Sequence, residues 1–211
     1  MTVSYNSLLQ RIAEGESDIL DFKKTISSAP KIAKTLAAFA NTRGGSLLIG
    51  VTDSGRIVGT RVQDEMHVLE GAAAVFCDPE IPIVFREHPV KDKIVLEVKV
   101  PESTHKPHYA KDTDGQWYPY IRVRDNSVLA SKLVVDVIRK ESENDGALIQ
   151  YSSKEQALLQ YLEENDRITL KQYCRLVNIS YRRARRILVD MVTAGVIRLH
   201  TTEKSDFFTL A

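Results

Sequence analysis

Three acids and a lysine in the first quarter of the chain have the residue types of a divalent-metal site. Glu16 and Asp21 lie five residues apart, Lys23 follows Asp21 in a D-x-K pattern, and Asp53 closes the apolar stretch LLIGVTD. Carboxylate oxygens are preferred ligands of Mg²⁺ and Mn²⁺, and such an ion can orient a water for in-line attack on a phosphodiester while a lysine balances the phosphate charge. If the strands before Asp53 and around Asp21 are neighbours, these side chains converge. The predicted catalytic residues are then Glu16, Asp21, Lys23 and Asp53, and the predicted metal ligands are Glu16, Asp21 and Asp53.

The same acids also have a structural interpretation. An aspartate that opens an Asp-Ser-Gly turn, as Asp53 does, commonly bonds its own backbone. Glu16 and Asp21 can form ordinary salt bridges with nearby cations, namely Lys23, Lys24 and Arg43. We therefore favour a structural role for the acids over catalysis.

Four arginines within five positions, in the segment YRRARRIL, form the second chemical candidate. One side of the predicted helix over 181–193 is apolar and consists of Ala184, Ile187, Leu188 and Met191. Arg182 and Arg186 then lie on the opposite, exposed side, where they could contact phosphates or base edges. The alternatives are a solvated cationic face and a protein-pairing surface. The predicted nucleic-acid contacts are Tyr181, Arg182, Arg183, Arg185, Arg186, Arg198 and Lys204.

The elements around these arginines follow the order of a winged helix-turn-helix. Helical spacing predicts helices over 154–165, from a Thr169 cap through Val177, and over 181–193, followed by short strands at 196–199 and 207–210. Residues 150–211 carry ten Lys or Arg against seven Asp or Glu, so they hold +3, and the rest of this +1 chain holds −2. A small basic module on a mildly acidic body points to a polyanionic partner.

The preceding part of the chain predicts an α+β domain with a mixed sheet. A helix from Pro30 ends at Gly44-Gly45, a buried strand follows, and an Asp-Ser-Gly turn leads to a predicted return strand at Ile57 and Val58. Further strands are expected near 81–87, 94–100 and 117–123, and a helix over 131–143 closes the domain. The predicted organisation is a first domain at 1–144, a polar linker at 145–151 and a second domain at 152–211.

The strings EGESDILDFKK, AAFANTRGG, LLIGVTDSGRIVG and YPYIRVRDNSVLAS resemble the Schlafen-type AlbA-like domain over roughly residues 10–140. The resemblance implies nucleic-acid binding, most often of DNA. Some animal Schlafen proteins are nucleases of structured RNA, and their catalytic acids match the positions of Glu16, Asp21 and Asp53. The chain departs from that pattern because Asp21 stands where the family has a glutamate. It also has Arg124 and Asp125 where the family usually has a glycine and serines.

The composition of the chain limits the class of protein to which it can belong. With 43% hydrophobic and 27% charged residues, the 211-residue chain suits a soluble globular protein, and no stretch reaches the length of a membrane span. The start of the chain lacks a secretory signal pattern, so we expect a cytoplasmic protein without a membrane partner. Cys77 and Cys174 are too few for a zinc site, and His105 and His108 are expected to be exposed loop residues. No phosphate-loop motif is present.

These observations favour a DNA-binding transcriptional regulator that acts as a homodimer and needs no cofactor. A second phosphate-facing patch, made of Lys24, Lys31, Lys34, Arg122 and Arg124, is a weaker expectation than scattered surface charge. The alternative function is a Mg²⁺- or Mn²⁺-dependent nuclease, with RNA among its possible substrates. A protein-interaction module is the third possibility.

Overall fold

The computed structural model describes residues 2–143 and 152–211 and separates into two units, Met1–Ala130 and Ser131–Ala211. The linker predicted at 145–151 lies outside the described residues. The division falls earlier than the predicted end of the first domain at residue 144. The helix expected to close that domain belongs by its contacts to the second unit, because its apolar residues Leu133 and Val137 pack into that unit's core.

The first unit has an α+β architecture with a mixed sheet. Its helices are α1 (Thr2–Glu14), α2 (Ala29–Asn41) and α3 (Val62–Val75). Its strands are β1 (Leu20–Lys23), β2 (Gly45–Ile49), β3 (Cys77–Asp78), β4 (Val84–Val90), β5 (Lys93–Val100), β6 (Tyr109–Lys111), β7 (Trp117–Val123) and β8 (Asn126–Leu129). One sheet has the order β1-β2-β5-β4 and the other has the order β3-β6-β7-β8.

Strand β2 lies at the centre of the first sheet and is buried on both faces, as its continuous apolar run predicts. Leu47 and Ile49 belong to the core around α2, whereas Leu48 belongs to a separate core under α1. β2 pairs in parallel with β1, with Asp21 opposite Leu47, and antiparallel with β5. The strand that carries Asp21 and the strand that precedes Asp53 are therefore neighbours, as the proposed convergence of the acids requires.

Helix α2 packs against both sheets. Its Leu36 and Phe39 are fully buried, in a cluster that includes residues of β2 and β5 together with Ala110 of β6. The helix ends where Gly44, at φ +69°, donates its N–H to the carbonyl of Phe39 at 2.9 Å. At Gly45 a Cβ would lie 2.3 Å from Cδ1 of Phe39, so the aromatic ring uses the space that a side chain would occupy.

The return strand expected after the Asp-Ser-Gly turn is reduced to a single bridge between Val51 and Ile57. The turn itself is present, and Val58 donates its N–H to the carbonyl of Gly50. The position beside β2 is filled instead by β5, a strand of higher β-propensity from later in the chain. The antiparallel pair predicted near 81–87 and 94–100 is confirmed as β4 and β5, with β4 starting three residues later than expected.

The second unit contains α4 (Lys132–Ser142), α5 (Ser153–Glu164), α6 (Leu170–Leu176), α7 (Tyr181–Thr193), β9 (Ile197–Thr201) and β10 (Asp206–Leu210). β9 and β10 form an antiparallel hairpin. Ser152 and Thr169 form capping boxes at α5 and α6, and Ser180 accepts from the N–H of Arg183 at the start of α7. Tyr173, Leu188 and Phe208 are buried at the centre of the unit. Within the described parts of the chain, no helix combines the length and apolar character needed to cross a membrane.

Candidate functional site

The acid cluster of the first unit is built around a buried ion pair. NH1 of Arg122 lies 3.3 Å from Oδ1 of Asp21, and the two side chains are only 1% and 6% exposed. NH2 of Arg122 donates to the carbonyl of Ser17 at 2.8 Å, and the guanidinium lies over the ring of Phe39. Nζ of Lys23 is 2.7 Å from the other oxygen of Asp21. Both carboxylate oxygens of Asp21 therefore already face a cation.

The remaining two acids are held differently from Asp21. Oε1 of Glu16 accepts the backbone N–H of Phe22 at 2.7 Å. Burial raises the pKa of Glu16, whereas the hydrogen bond from Phe22 lowers it. The negative charges of Asp21 and Asp53 raise the pKa further, so the three carboxylates influence one another. Asp53 is exposed in the turn after β2. The turn is held by Thr52, whose hydroxyl accepts the N–H of Arg56, and not by Asp53 as the structural interpretation expected.

The predicted metal ligands do not fit a metal site in this arrangement. Among residues 2–143 and 152–211, no group of three or more His, Cys, Asp or Glu side chains is placed to hold an ion, and Glu16, Asp21 and Asp53 are not such a group. The physical reason is that Arg122 and Lys23 neutralise the buried Asp21, and a backbone N–H occupies an oxygen of Glu16. Asp21 pairs with Lys23 as the structural interpretation expected, whereas Glu16 bonds a backbone N–H and Asp53 does not hold its turn.

Two members of the second phosphate-facing patch, the weaker of the two expectations for the first unit, are paired within the domain. Arg122 is buried and serves the ion pair with Asp21, so it cannot contact a polyanion. Nζ of Lys34 bonds Asp112 at 2.7 Å and lies 5.5 Å from the ring centroid of Tyr120. Arg122 and Lys34 are therefore each paired with a carboxylate of their own domain.

A second buried titratable cluster, which the sequence analysis did not single out, fastens α1 to the first sheet. The carboxylate of Glu97 is 1% exposed and accepts hydrogen bonds from Arg11 at 2.8 Å, Ser46 at 2.8 Å and His88 at 2.7 Å. Burial alone would raise the pKa of Glu97, but the bonds from His88, Arg11 and Ser46 outweigh it and lower the pKa to about 2. A glutamate inside the apolar strand KIVLEVKV is the sequence signal that could have revealed it.

One of the two loop histidines is not exposed. His108 is 2% exposed, with Nδ1 at 2.8 Å from the carbonyl oxygen of Pro79 and Nε2 at 2.7 Å from Oγ of Ser103. Burial, the largest of the effects on His108, lowers the pKa of its ring and so favours the neutral form. The expectation of an exposed loop residue is wrong for His108, because Asn41 of α2 draws the backbone at this position into the interior. His105 is exposed as expected.

Helix α7 presents most of the predicted nucleic-acid contacts to solvent. Tyr181 is 61% exposed at its first turn. The other exposed members of the predicted set are Arg182, Arg183, Arg186, Arg198 and Lys204. Arg185 differs, because its Nε lies 2.9 Å from Oδ2 of Asp136 on α4 and its side chain is 19% exposed. Apart from Arg185, the predicted contacts are exposed on α7 and on the β9–β10 hairpin, and all of these exposed residues except Tyr181 are cationic.

A further cation, Arg167 in the segment between α5 and α6, lies against the hairpin and is not among the predicted contacts. Cζ of Arg167 lies 5.4 Å from the ring centroid of Phe207, and that ring stacks on His200 at 4.9 Å with an interplanar angle of 9°. Arg167 precedes Ile168, which bonds to Phe208 of β10 through both backbone groups. This pairing adds a guanidinium held on an aromatic platform to the cationic residues of the hairpin.

The first unit is an α+β domain with a mixed sheet, in which Asp21 is tied into ion pairs with Arg122 and Lys23. Residues 16–131, more than half of the chain, match the family model described as Schlafen, AlbA_2, and the chain belongs to that family. The match includes the acid cluster and Arg122, and it ends where the second unit begins. The assignment confirms the resemblance to this family.

Two solved structures illustrate the likeness. The DIP2311 protein from Corynebacterium diphtheriae aligns with a TM-score of 0.49 and 19% identity over 77% of this chain and 34% of that chain. This chain therefore spans about a third of that protein's length. The N-terminal domain of a RecG-related protein from Nitrosomonas europaea aligns with a TM-score of 0.43 and 28% identity over 60% of this chain and 94% of that chain. A search of curated proteins returned no match.

Proposed function

We propose that this protein is a DNA-binding transcriptional regulator in which the second unit acts as a winged helix-turn-helix. The observation that carries the proposal is the exposed cationic first half of α7, where Tyr181, Arg182 and Arg186 stand free in solvent. In helix-turn-helix proteins the N-terminal residues of the second, recognition helix contact base edges in the major groove. α6 and α7 supply that helix pair here.

The hairpin supplies the second contact region. Arg198 on β9 and Lys204 at the hairpin tip are exposed, and both carry charge suited to phosphate oxygens. Phe207 of β10 also lies under the guanidinium of Arg167, which comes from the segment between α5 and α6. Contacts of this kind fix the orientation of the protein on a duplex, whereas the residues of α7 read sequence.

Family membership supports a nucleic-acid partner, and the basic balance of residues 150–211 supports placing that partner at the second unit. A homodimer would present two copies of α7 to two half-sites, which is the usual arrangement for regulators of this type. Duplex DNA is the proposed partner. The acid cluster of the first unit plays no catalytic part in this function.

The proposal is tested by a salt titration of duplex affinity with the double variant Arg182→Ala/Arg186→Ala. Each lost phosphate contact lowers the slope of log affinity against log salt concentration by about 0.9, so we expect a slope shallower by about 2 and affinity reduced at least tenfold at low salt. The matched control is Arg86→Ala/Lys91→Ala, which removes two exposed cations from the first unit. Equal slopes and affinities for wild type and the α7 variant would defeat the proposal.

A further inference from the structure

One residue on the solvent side of α7 is buried. Arg182, Arg186 and Val189 follow one another at spacings of four and three, so they lie along one face of the helix. The core face is the different line of Ala184, Ile187, Leu188 and Met191. Val189 should therefore face solvent like the two arginines, yet it is only 6% exposed. Another element must cover the middle of this face.

Helix α4 is that element. Its Leu133 and Val137 belong to the same apolar cluster as Val189. Two ion pairs flank this contact, one from Asp136 of α4 to Arg185 of α7 and the other from Lys140 of α4 to Asp190 of α7. The first joins Oδ2 to Nε at 2.9 Å, and the second joins Nζ to Oδ1 at 2.5 Å. α7 is thus packed on two sides, with α6 and β9 on its core face and α4 across the middle of the opposite face.

Helix α4 leaves the first turns of α7 exposed. A groove of about 640 Å³ runs between the two helices and is lined by Arg182, Arg183 and Arg186 from α7 and by Arg139 and Glu143 from the end of α4. Phosphates can reach these arginines at the surface. Arg185, one position away, is held by Asp136.

Dimensions decide what this arrangement can bind. A helix with its side chains is about 10–12 Å across, and packed helices have their axes about 8–10 Å apart. The major groove of DNA is about 12 Å wide and admits one helix. α4 and α7 together are too wide, so α7 cannot enter a major groove to the depth of Val189 while α4 lies across it.

We propose that α4 is an autoinhibitory cover on the recognition face of α7, and that it moves aside when α7 enters a major groove. The inference rests on the proposed function of α7. In the covered state only the first turns of α7 are open to DNA, so the exposed arginines make mainly phosphate contacts, which give weak binding with little sequence discrimination. Duplex phosphates then compete with Asp136 for Arg185, and release of α4 uncovers the part of α7 beyond Arg186.

The first experiment weakens the cover without changing net charge. Asp136→Asn/Lys140→Gln removes both ion pairs and leaves the charge of the chain unaltered, so a gain in affinity cannot come from added positive charge. The control Glu163→Gln/Lys171→Gln makes the same kind of neutral exchange at exposed positions on α5 and α6. We expect the α4 variant to bind duplex DNA roughly fivefold more tightly than wild type. The reason is that the equilibrium between packed and displaced α4 opposes binding in wild type, and the variant weakens the packed state. The control should bind no more tightly than wild type.

The second experiment uses the unaltered chain and follows amide hydrogen exchange in α4. Adding duplex DNA should speed exchange of the amides of residues 132–142, because the helix loses its packing on α7. Two results together would overturn the cover: unchanged or slower exchange in α4 when DNA binds, and equal affinity of wild type and the Asp136→Asn/Lys140→Gln variant. If binding still depends on Arg182 and Arg186, the proposed function stands. Failure of both wild type and that variant to bind any duplex at low salt would overturn both.

Discussion

Arg122 and Asp21 stand 101 positions apart in the chain, and NH1 of the first lies 3.3 Å from Oδ1 of the second in the interior of the domain. This pair links β7 of one sheet to β1 of the other. It also sets a positive charge against one of the three predicted metal ligands, because the guanidinium lies beside the carboxylate of Asp21. Nε of Arg122 is buried without a hydrogen bond among the described residues, and Oδ2 of Asp21 has only its ion pair with Lys23, whose Nζ donates its hydrogen bond to the carbonyl of Phe22.

Breaking this pair from one side should destabilise the protein strongly. Arg122→Met leaves Asp21 buried with only Lys23 as a counter-charge, and removal of one partner of a buried ion pair typically costs about 3–5 kcal/mol in the free energy of unfolding. Denaturant unfolding at pH 7 measures the loss. The double variant Arg122→Met/Asp21→Leu removes both charges and should recover part of it. A loss below about 1 kcal/mol for Arg122→Met would show that the pair is not important for stability.

Glu97 should make stability depend on pH in the acid range. Its pKa is lowered in the folded protein from 4.5 to about 2, so its contribution is fully present above about pH 4.5 and is lost as pH falls toward 2. The difference corresponds to about 3 kcal/mol. Urea unfolding at intervals between pH 7 and pH 2 measures it. Because other acids titrate in the same range, the comparison is with Glu97→Gln, which should be less stable at pH 7 and should show a shallower decline. Parallel curves for the two proteins would contradict the assignment.

Two glycines should respond oppositely to alanine. Gly45→Ala places a methyl group 2.3 Å from Cδ1 of Phe39, so the ring must move, and we expect a loss of about 1–3 kcal/mol in unfolding free energy. Gly71→Ala lies inside α3 with no heavy atom within 4 Å of the new Cβ, so helix propensity should raise stability by about 0.5–1 kcal/mol. Thermal unfolding of both variants tests the pair. Unchanged or raised stability of Gly45→Ala would contradict the close approach at Phe39, and a loss of stability in Gly71→Ala would contradict the open space at that position.

The acid cluster should not cleave nucleic acids. With Asp21 neutralised by Arg122 and Lys23, we expect tRNA and duplex DNA to stay intact when incubated with the protein and Mn²⁺. Gel analysis with and without chelator is the measurement. Metal-dependent cleavage that disappears in Asp53→Ala would restore the nuclease hypothesis, whereas cleavage that persists in that variant would indicate a contaminant.

The sequence by itself determined the local features of this protein. The apolar line of α7, the cap at Thr169 and the break at Gly44 act over a few residues, and the bounds predicted for α7 were confirmed as Tyr181–Thr193. The continuous apolar run of β2 likewise predicted a strand buried on both faces. Such patterns are readable because helix and strand periods are fixed by backbone geometry.

Only the tertiary structure decided which charged groups meet. Nothing near Asp21 in sequence indicates that Arg122 neutralises it, and Glu97 gives no sign that Arg11, 86 positions earlier, will bond to it. The same holds for Val189, which has the spacing of a solvent-facing residue and is buried because α4 packs across it. Long-range pairings depend on how sheets and helices come together, and a charge or an apolar side chain specifies its own preference for burial but not the partner that satisfies it.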